Sequence, residues 1–361
     1  MIKPRIIVDA MSGDNAPAAI IEGAIAGAVQ YETDLILVGD VDIIKSRIDE
    51  QQKKYNNINQ DKMPDIIIKQ SLSVVSMEDD PSVVMKEKED SSLAIAMSLL
   101  KEGAGDALVS AGNTGAVFTA ATLVLRRIKG VRRAALAAII PLDNPFLLLD
   151  SGANTDVQPE MLEQFAQMGS FYAERVMGIE KPRIGLINNG IEPHKGTELQ
   201  QDTYKLLKKT EINFVGNIET RDLPANICDV AVADGFTGNI VLKLIEGMGG
   251  FMLRKLKQLF YSNNMTKFAA VLTQKQLDEL KRSVDHREHG GAVLLGIAKP
   301  VIKAHGSSDA YSITRTIKQA SDYAKGQVIE ALTEEFSKKK FARIRSFFDV
   351  KDEKHINPNV D

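Results

Sequence analysis

The sequence has one cysteine among its 361 residues and no tryptophan. A single cysteine excludes an intrachain disulfide framework, and this usage suits a reducing cytoplasm. Cys228 stands just before the apolar run Val230–Ala233, where we expect an inert buried thiol rather than a nucleophile. No uninterrupted apolar run approaches the ~20 residues that a membrane-spanning helix requires.

Positive charge is not in excess, because 45 Lys and Arg face 48 Asp and Glu and give a formal net charge of -3. That balance excludes a globally basic nucleic-acid-binding protein. The Walker pattern, a compact Gly-x-Gly-x-x-Gly after the first strand and the Gly-x-Ser-x-Gly elbow are all missing. The five histidines are scattered, and no carboxylate lies at a familiar ligand spacing, so neither a metal nor a cofactor is predicted.

Five short segments rich in glycine and small polar residues are the most informative feature of the chain. At least three of them follow clear apolar runs, which are typical of buried strands. Loops at the carboxyl ends of parallel strands form the ligand sites of open α/β sheets, and their free N–H groups suit an anion. The segments therefore predict one composite phosphate site. They are Asp9–Asp14, Ser110–Gly115, Asp150–Asn154, Asp234–Asn239 and His305–Asp309.

Strands alternate with amphipathic helices along most of the length, which predicts a three-layer α/β/α fold with a mainly parallel sheet. We expect one α/β catalytic domain over residues 1–336 and a charged carboxyl-terminal tail over residues 337–361. The segment Phe251–His286 interrupts the alternation. It predicts an inserted, protruding hairpin of two helices joined near Ser262–Asn264.

The hairpin admits two interpretations that are compatible with each other. An apolar stripe on its first helix favours packing on the core or on a second copy of the chain. A basic and apolar tip favours contact with a membrane surface. The tip residues are Phe260, Tyr261, Met265, Lys267 and Phe268.

Three polar residues in or near these segments are candidates for chemistry. Lys195 is either an exposed loop lysine or, together with helix amides, part of an anion site. Asn239 is either a helix cap or a donor to the anion, and Lys243 lies four residues further on. His305 is either an acid/base group or a side chain that holds its own turn.

Taken together, these segments resemble the signatures of the bacterial phosphate acyltransferase family, the acyl-acyl-carrier-protein:phosphate transacylases of phospholipid synthesis. The resemblance extends from residue 5 to about residue 335. Ser12 and Ser151 depart from it, since the family usually has Gly and Val there. The matching stretches are Asp9–Asp14, Ser110–Ala116, Leu148–Asn154, Lys195-Gly196, Val215–Asn217, Asp234–Lys243, and Gly290-Gly291 through Val301–Asp309.

The resemblance implies a fold like that of the isocitrate/isopropylmalate dehydrogenases, a homodimer, and transfer of a fatty acyl group from acyl-carrier protein to inorganic phosphate. The acyl phosphate would pass to a membrane-bound glycerol-phosphate acyltransferase, so we expect a cytoplasmic, peripherally membrane-associated enzyme. Phosphate is already a nucleophile near neutral pH. The enzyme must therefore hold a dianion beside the thioester and stabilise the oxyanion.

On this interpretation Lys195 and Asn239 stabilise the phosphate and the oxyanion, and His305 donates to the leaving sulfur. A larger set is predicted to bind substrate or phosphate. It comprises Asp9, Gly13, Asp14, Ser110, Gly112, Asn113, Thr114, Gly115, Asp150, Asn154, Gly196, Asp234, Gly235, Thr237, Gly238, Lys243 and Lys303.

A cluster of basic residues is the candidate docking surface for the acidic carrier protein. The alternative is that they only offset the negative end of a helix dipole. The cluster consists of Arg126, Arg127, Lys129, Arg132 and Arg133. Two other functions stay open: an NAD-dependent decarboxylating dehydrogenase, which would need a metal carboxylate cluster and a catalytic Tyr–Lys pair, and a non-catalytic membrane-associated scaffold.

Overall fold

The computed structural model describes residues 3–52 and 63–338, and eleven strands in that part of the chain form one sheet. From one edge to the other the strands are β3 (Ile66–Gln70), β2 (Asp34–Gly39), β1 (Arg5–Asp9), β4 (Ala107–Ser110), β11 (Val301–Lys303), β10 (Ala292–Leu295), β5 (Ala135–Ile140), β6 (Phe146–Leu149), β9 (Val230–Val232), β7 (Ile184–Asn188) and β8 (Phe214–Glu219).

Residues 328–338 are helical, and ten α-helices precede them in the described residues. They are α1 (Ala18–Tyr31), α2 (Val41–Gln52), α3 (Ser92–Lys101), α4 (Thr114–Ala120), α5 (Pro159–Arg175), α6 (Glu198–Leu207), α7 (Gly235–Phe260), α8 (Asn264–Leu272), α9 (Gln274–Ser283) and α10 (Ala310–Lys325).

The sheet consists of two parallel groups that run in opposite directions. β10 is antiparallel to both β11 and β5, and β5 is antiparallel to β6. The other neighbouring strands are parallel. The prediction of a mainly parallel sheet is therefore confirmed, and its two halves meet at β10 and β5.

Both faces of the sheet are covered because its strands are apolar on both sides. In β1, Ile6 and Val8 enter one core while Ile7 enters the core on the opposite face. Helices α1, α5 and α10 cover the first face, and α3 and α4 cover the second. A third cluster lies under α7, where Val241 packs near Phe146 and Leu148. These layers give the predicted α/β/α architecture.

The hairpin differs from its prediction in where its first helix begins and in the number of helices that form its return. Its first helix does not begin at Phe251, because α7 runs without a break for 26 residues from the cap at Asp234. The return segment forms two short helices, α8 and α9, neither of which has a buried residue. The predicted tail lies outside the described residues beyond Lys338. None of the helices in the described ranges combines the length and apolarity needed to span a bilayer.

Candidate functional site

A cavity of about 450 Å³ lies between α7 and the loops that follow β1, β4, β6 and β11. Each of the five glycine-containing segments contributes at least one residue to its wall. From these segments, side-chain chemistry or close backbone approach comes from Asp14, Thr114, Ser151, Gly152, Asn239 and His305, and Lys243 and Lys303 join them from just outside the segments. Residues nearly 300 positions apart in the sequence thus meet at one site.

The loops after β1 and β11 are held together as one unit. The Asp14 amide donates to the Gly306 carbonyl at 2.9 Å. The Asn15 side-chain amide donates to the carbonyl oxygens of Ser307 at 3.0 Å and Ser308 at 3.2 Å. Within the loop after β1, Gly13 has φ +114°, a backbone conformation that favours glycine and allows the loop to turn tightly.

Beneath these loops, Ser110 donates to the buried Asp9 carboxylate at 2.8 Å. Burial raises the pKa of Asp9, and neighbouring hydroxyls oppose that rise. Asn113 caps α4 by accepting from the Ala116 amide at 3.0 Å. Asp9, Ser110 and Asn113 do not line the cavity, so they shape the loop that presents Thr114.

Asp150 organises the loop after β6. Its carboxylate accepts hydrogen bonds from the amides of Leu136, Gly152, Ala153 and Asn154 at 2.7–3.1 Å, and from the Asn154 side chain at 2.8 Å. Because five N–H groups occupy this carboxylate, Asp150 and Asn154 have a structural role here. They present Ser151 and Gly152 to the cavity.

The amino end of α7 is capped by Asp234, which accepts from the Thr237 amide at 2.9 Å and from its hydroxyl at 2.7 Å. Asn239 is therefore not the cap, and its side chain lies beside Gly152 in the cavity wall. Gly235 lies against the Asn154 backbone. This close approach brings α7 onto the loop after β6.

Lys303 is the buried cation of the cavity, with 6% of its surface exposed. Its ammonium group donates to the carbonyl oxygens of Ala111, at 3.4 Å, and Ala304. Desolvation lowers the pKa of Lys303 to about 8, although Asp14 and Asp9 favour its charged form. Its charge is therefore sensitive to modest changes around physiological pH.

His305 is exposed at the cavity wall and also holds its own turn, so both predicted roles are compatible with its position. Its Nδ1 lies 2.9 Å from the Ser307 hydroxyl and accepts from the Ser307 amide at 3.3 Å. An accepting Nδ1 leaves Nε2 as the protonated nitrogen of the neutral ring.

Lys195 is exposed and does not line this cavity. Its loop is folded by bonds from the Lys195 amide to the Glu192 carbonyl and from the Asn188 side chain to the Lys195 carbonyl, both at 3.1 Å. Gly196 has φ +83°, and α6 starts only at Glu198. Since β7 and β9 are parallel neighbours, the Lys195 loop and α7 leave the sheet at the same edge.

All five residues of the basic cluster are exposed. Arg132 pairs with Glu160 at 3.2 Å, which partly offsets its charge. Leu136, three residues after Arg133, already lines the cavity. Arg133 is thus within ~10 Å of chain from the site, and the other four basic residues lie further along the chain.

Several wall residues have no counterpart among the predicted site residues. His289, Gly290 and Gly291 approach from the turn after the hairpin, and the only sequence signal for them is the glycine pair. Glu246 lines the cavity one turn after Lys243. Burial lowers the pKa of His289, which favours its neutral form.

Two kinds of chemistry are not supported by these side chains. The described residues contain no group of three or more His, Cys, Asp or Glu side chains arranged to hold a metal ion. Cys228 is buried, as predicted, and burial raises its pKa to about 12. A thiol of that kind is a poor nucleophile.

Comparison with known proteins identifies a family. The model of the family described as "Fatty acid synthesis protein" matches residues 4–331. The phosphate acyltransferase of Lysinibacillus sphaericus is 43% identical over 333 residues, which cover 91% of this chain and 97% of that protein. The phosphate acyltransferase of Clostridioides difficile is 39% identical over 336 residues, with coverages of 92% and 96%.

Solved structures share the fold at much lower identity. A phosphotransacetylase from Streptococcus pyogenes gives a TM-score of 0.59 at 13% identity and covers 90% of this chain and 94% of its own. A branched-chain phosphotransacylase from Enterococcus faecalis gives 0.53 at 12% identity, with coverages of 89% and 99%.

Proposed function

This chain belongs to the phosphate acyltransferase family, and from that premise we propose that it transfers a fatty acyl group from acyl-carrier protein to inorganic phosphate. The relatives are named for acyl transfer to phosphate. The carrier-protein donor and a role in phospholipid synthesis are our inference from the sequence signatures. No cofactor is required, because both substrates supply their own reacting groups.

The observation that carries this proposal is the set of donors around one cavity. Lys303 is a buried lysine of the wall, and Lys243 and Asn239 reach the wall from α7. Gly152 has no side chain, so the backbone of the loop after β6 is accessible from the cavity there. Asp14 and Glu246 also line the cavity. Selective binding of a dianion therefore depends on directed N–H donors rather than on an excess of positive charge.

The proposed reaction follows from the chemistry of the substrates. A phosphate oxygen attacks the thioester carbonyl carbon, forming a C–O bond, and the C–S bond then breaks to release a thiolate. Lys303 and Lys243 hold the phosphate. Asn239 donates a hydrogen bond to the oxyanion, and the Nε2–H of His305 donates a hydrogen bond to the departing sulfur. The proton that HPO4²⁻ loses as the acyl phosphate forms balances the proton that the thiolate gains.

Lys195 is proposed as a further cation that approaches phosphate from the loop after β7. The shared sheet edge of that loop and α7 supports this assignment, and the exposure of Lys195 leaves its side chain free to reorient. Its role is tested separately in the Discussion.

The hairpin is proposed to serve assembly and location. On α7, Phe236, Ile240, Leu244, Met248 and Met252 follow one another at four-residue spacing, and each is about half exposed or more. Such a stripe suits a second copy of the chain in a homodimer. The apolar tip would touch the membrane, where a membrane-bound glycerol-phosphate acyltransferase would consume the product.

The decisive experiment measures free thiol released from an acyl-acyl-carrier-protein thioester with and without phosphate. We expect release only with phosphate, accompanied by acyl phosphate. Folded protein that releases no phosphate-dependent thiol would overturn the proposal and favour the scaffold alternative. Reduction of NAD in the presence of hydroxy acids would instead support the dehydrogenase alternative.

A further inference from the structure

A groove of about 900 Å³ lies beside α5 and shares no lining residue with the cavity described above. Its other walls are the segment before β7, the turn between α6 and β8, and the helix of residues 328–338. Phe171, Pro182 and Ile212 contribute apolar surface to it. The proposed reaction uses none of these residues.

The groove carries net negative charge, because four glutamates and two lysines line it. Glu163 and Glu174 stand eleven residues apart on α5, which is ~17 Å along the helix axis. Glu211 stands on the turn between α6 and β8 and, like Glu174, is exposed. A single exposed glutamate attracts a cation only weakly, but the set favours a partner with several positive charges. The fourth glutamate is Glu335, and the lysines are Lys181 and Lys209.

The helix of residues 328–338 brings the chain to this groove. Leu332 and Phe336 anchor the helix because both are buried in the core. Glu335, between them in sequence, lines the groove. The chain therefore leaves this helix within one turn of the groove wall.

The basic segment, residues 339–348, follows that helix directly. It contains four Lys or Arg and no Asp or Glu, whereas the whole chain has a formal net charge of -3. Phe341, Ile344 and Phe347 recur at three-residue spacing among these charges. The family match ends at residue 331, so the basic segment lies beyond the region that the family model describes.

We propose that the groove binds the basic segment of the same chain. The glutamates attract its positive side chains, and its apolar side chains leave water by packing against Phe171 and Ile212. Ten extended residues reach up to ~33 Å, about twice the ~17 Å between Glu163 and Glu174, so the segment can pass both glutamates.

The covalent link favours this occupant over a free partner. A short connection gives an effective concentration on the order of 1 mM, so weak ionic and apolar contacts suffice to keep the segment bound. An acidic protein or an anionic membrane is repelled by the glutamates of the groove. Such a partner competes with the groove only by drawing the basic segment away from it.

Trypsin digestion of the full chain measures whether the basic segment is covered. Cleavage after Arg343 and Arg345 should be about three- to tenfold slower in the unchanged protein than in Glu174→Gln with Glu211→Gln, which removes two exposed ionic contacts. Cleavage should also accelerate with salt, since screening weakens these contacts. Glu279→Gln, which removes an exposed charge on α9, should be cleaved like the unchanged protein. Equal rates in all three proteins would overturn the proposal.

Engineered cysteine pairs identify the occupant directly, and the buried Cys228 does not interfere. Ser170 lines the groove on α5, so Ser170→Cys combined with Ala342→Cys or Ser346→Cys should give a disulfide within one chain on mild oxidation. Ser98→Cys on α3, an exposed position on the opposite face of the sheet, is the control partner and should give none. A disulfide between two chains would overturn the same-chain assignment in favour of a second copy. No disulfide at either position of the basic segment would overturn the proposal altogether.

Vesicles of anionic phospholipid separate the groove from a membrane site. Protection from trypsin in their absence, lost in the double glutamine variant, supports the groove. Protection that appears only when vesicles are added would assign the basic segment to the membrane and overturn the proposal. Neither measurement depends on acyl transfer, so the result stands whether or not phosphate-dependent release of thiol is observed.

Discussion

Gly238 of α7 lies so close to the backbone of Asp150 that a β-carbon at position 238 would overlap the Asp150 carbonyl oxygen. This contact seats the first turn of α7 on the loop after β6. It also places Asn239 beside Gly152 in the wall of the cavity of about 450 Å³.

Replacing that glycine tests how much the reaction depends on the contact. Gly238→Ala should push α7 outward, lower turnover at least tenfold and cost about 1–3 kcal/mol of unfolding free energy. Gly247→Ala is the matched control, because a β-carbon there meets nothing within 4 Å. The control should retain activity and gain about 0.5–1 kcal/mol. Similar behaviour of the two variants in kinetics and thermal melts would contradict this account.

Lys195 is tested by removing its charge. Lys195→Ala should reduce turnover roughly a hundredfold, the scale of losing one preorganised oxyanion donor. Lys209→Ala, which removes another exposed lysine just beyond the opposite end of α6, should have little effect. A folded Lys195→Ala protein with nearly full activity would show that the lysine is only an exposed loop residue.

The buried Lys303 predicts a pH dependence of anion binding. Since its pKa is lowered to about 8, the ammonium is charged below that pH and loses its charge as the pH rises through it. The facing carboxylates of Asp14 and Asp9 favour the charged form. Inhibition by sulfate, which stays a dianion, should weaken between pH 7 and 9. The Lys303→Met protein should bind sulfate weakly, and its sulfate inhibition should no longer change near pH 8. If the change near pH 8 persists in this variant, another group causes it.

The basic cluster is tested by charge reversal. Arg132 is already paired with Glu160, so the test reverses two other charges of the cluster. Lys129→Glu combined with Arg133→Glu should raise the Michaelis constant for acyl-carrier protein far more than that for phosphate, because an acidic partner would then be repelled. Lys45→Glu on α2 is a control that reverses an exposed charge elsewhere. The wild-type carrier-protein reaction should slow with salt, which screens exposed charges beyond ~8 Å at physiological ionic strength. An unchanged constant in the double variant would place docking elsewhere.

The hairpin tip is tested on vesicles. Met265 is 85% exposed and Phe268 66%, so Met265→Ser with Phe268→Ser should reduce flotation with anionic liposomes and spare activity on soluble substrates. Leu72→Ser, another exposed apolar residue at 79%, is the control. Equal flotation of all three proteins would reject the membrane role.

The sequence predicted the fold well because strand and helix periods alternate clearly around Ile6–Val8 and Leu147–Leu149, and both runs are buried strands. It could not predict that the two parallel groups oppose each other. That arrangement depends on the antiparallel β5–β6 pair, because β10 is antiparallel to both of its neighbours and so leaves β11 and β5 running in the same direction.

The site was predictable as a set of loops but not residue by residue. Asp150 and Asp234 stand in glycine-rich segments, which predicted that their side chains bind the ligand. In the structure their carboxylate oxygens instead accept hydrogen bonds from nearby N–H groups and a hydroxyl. Which oxygens remain available depends on loop geometry that no spacing reveals. His289 was missed for a related reason, since a tertiary contact through Gly291 and Gln319 holds its turn in place.

The insertion of β11 between β4 and β10 has a consequence for synthesis of the chain. The outer edge of β4, which ends at Ser110, has its hydrogen-bonding partner only when Val301–Lys303 has been made. At ribosomal rates of ~5–20 residues per second, that edge waits roughly 10–40 s for its neighbour. An unpaired edge is a template for unwanted pairing, and the four-residue length of β4 keeps that template short.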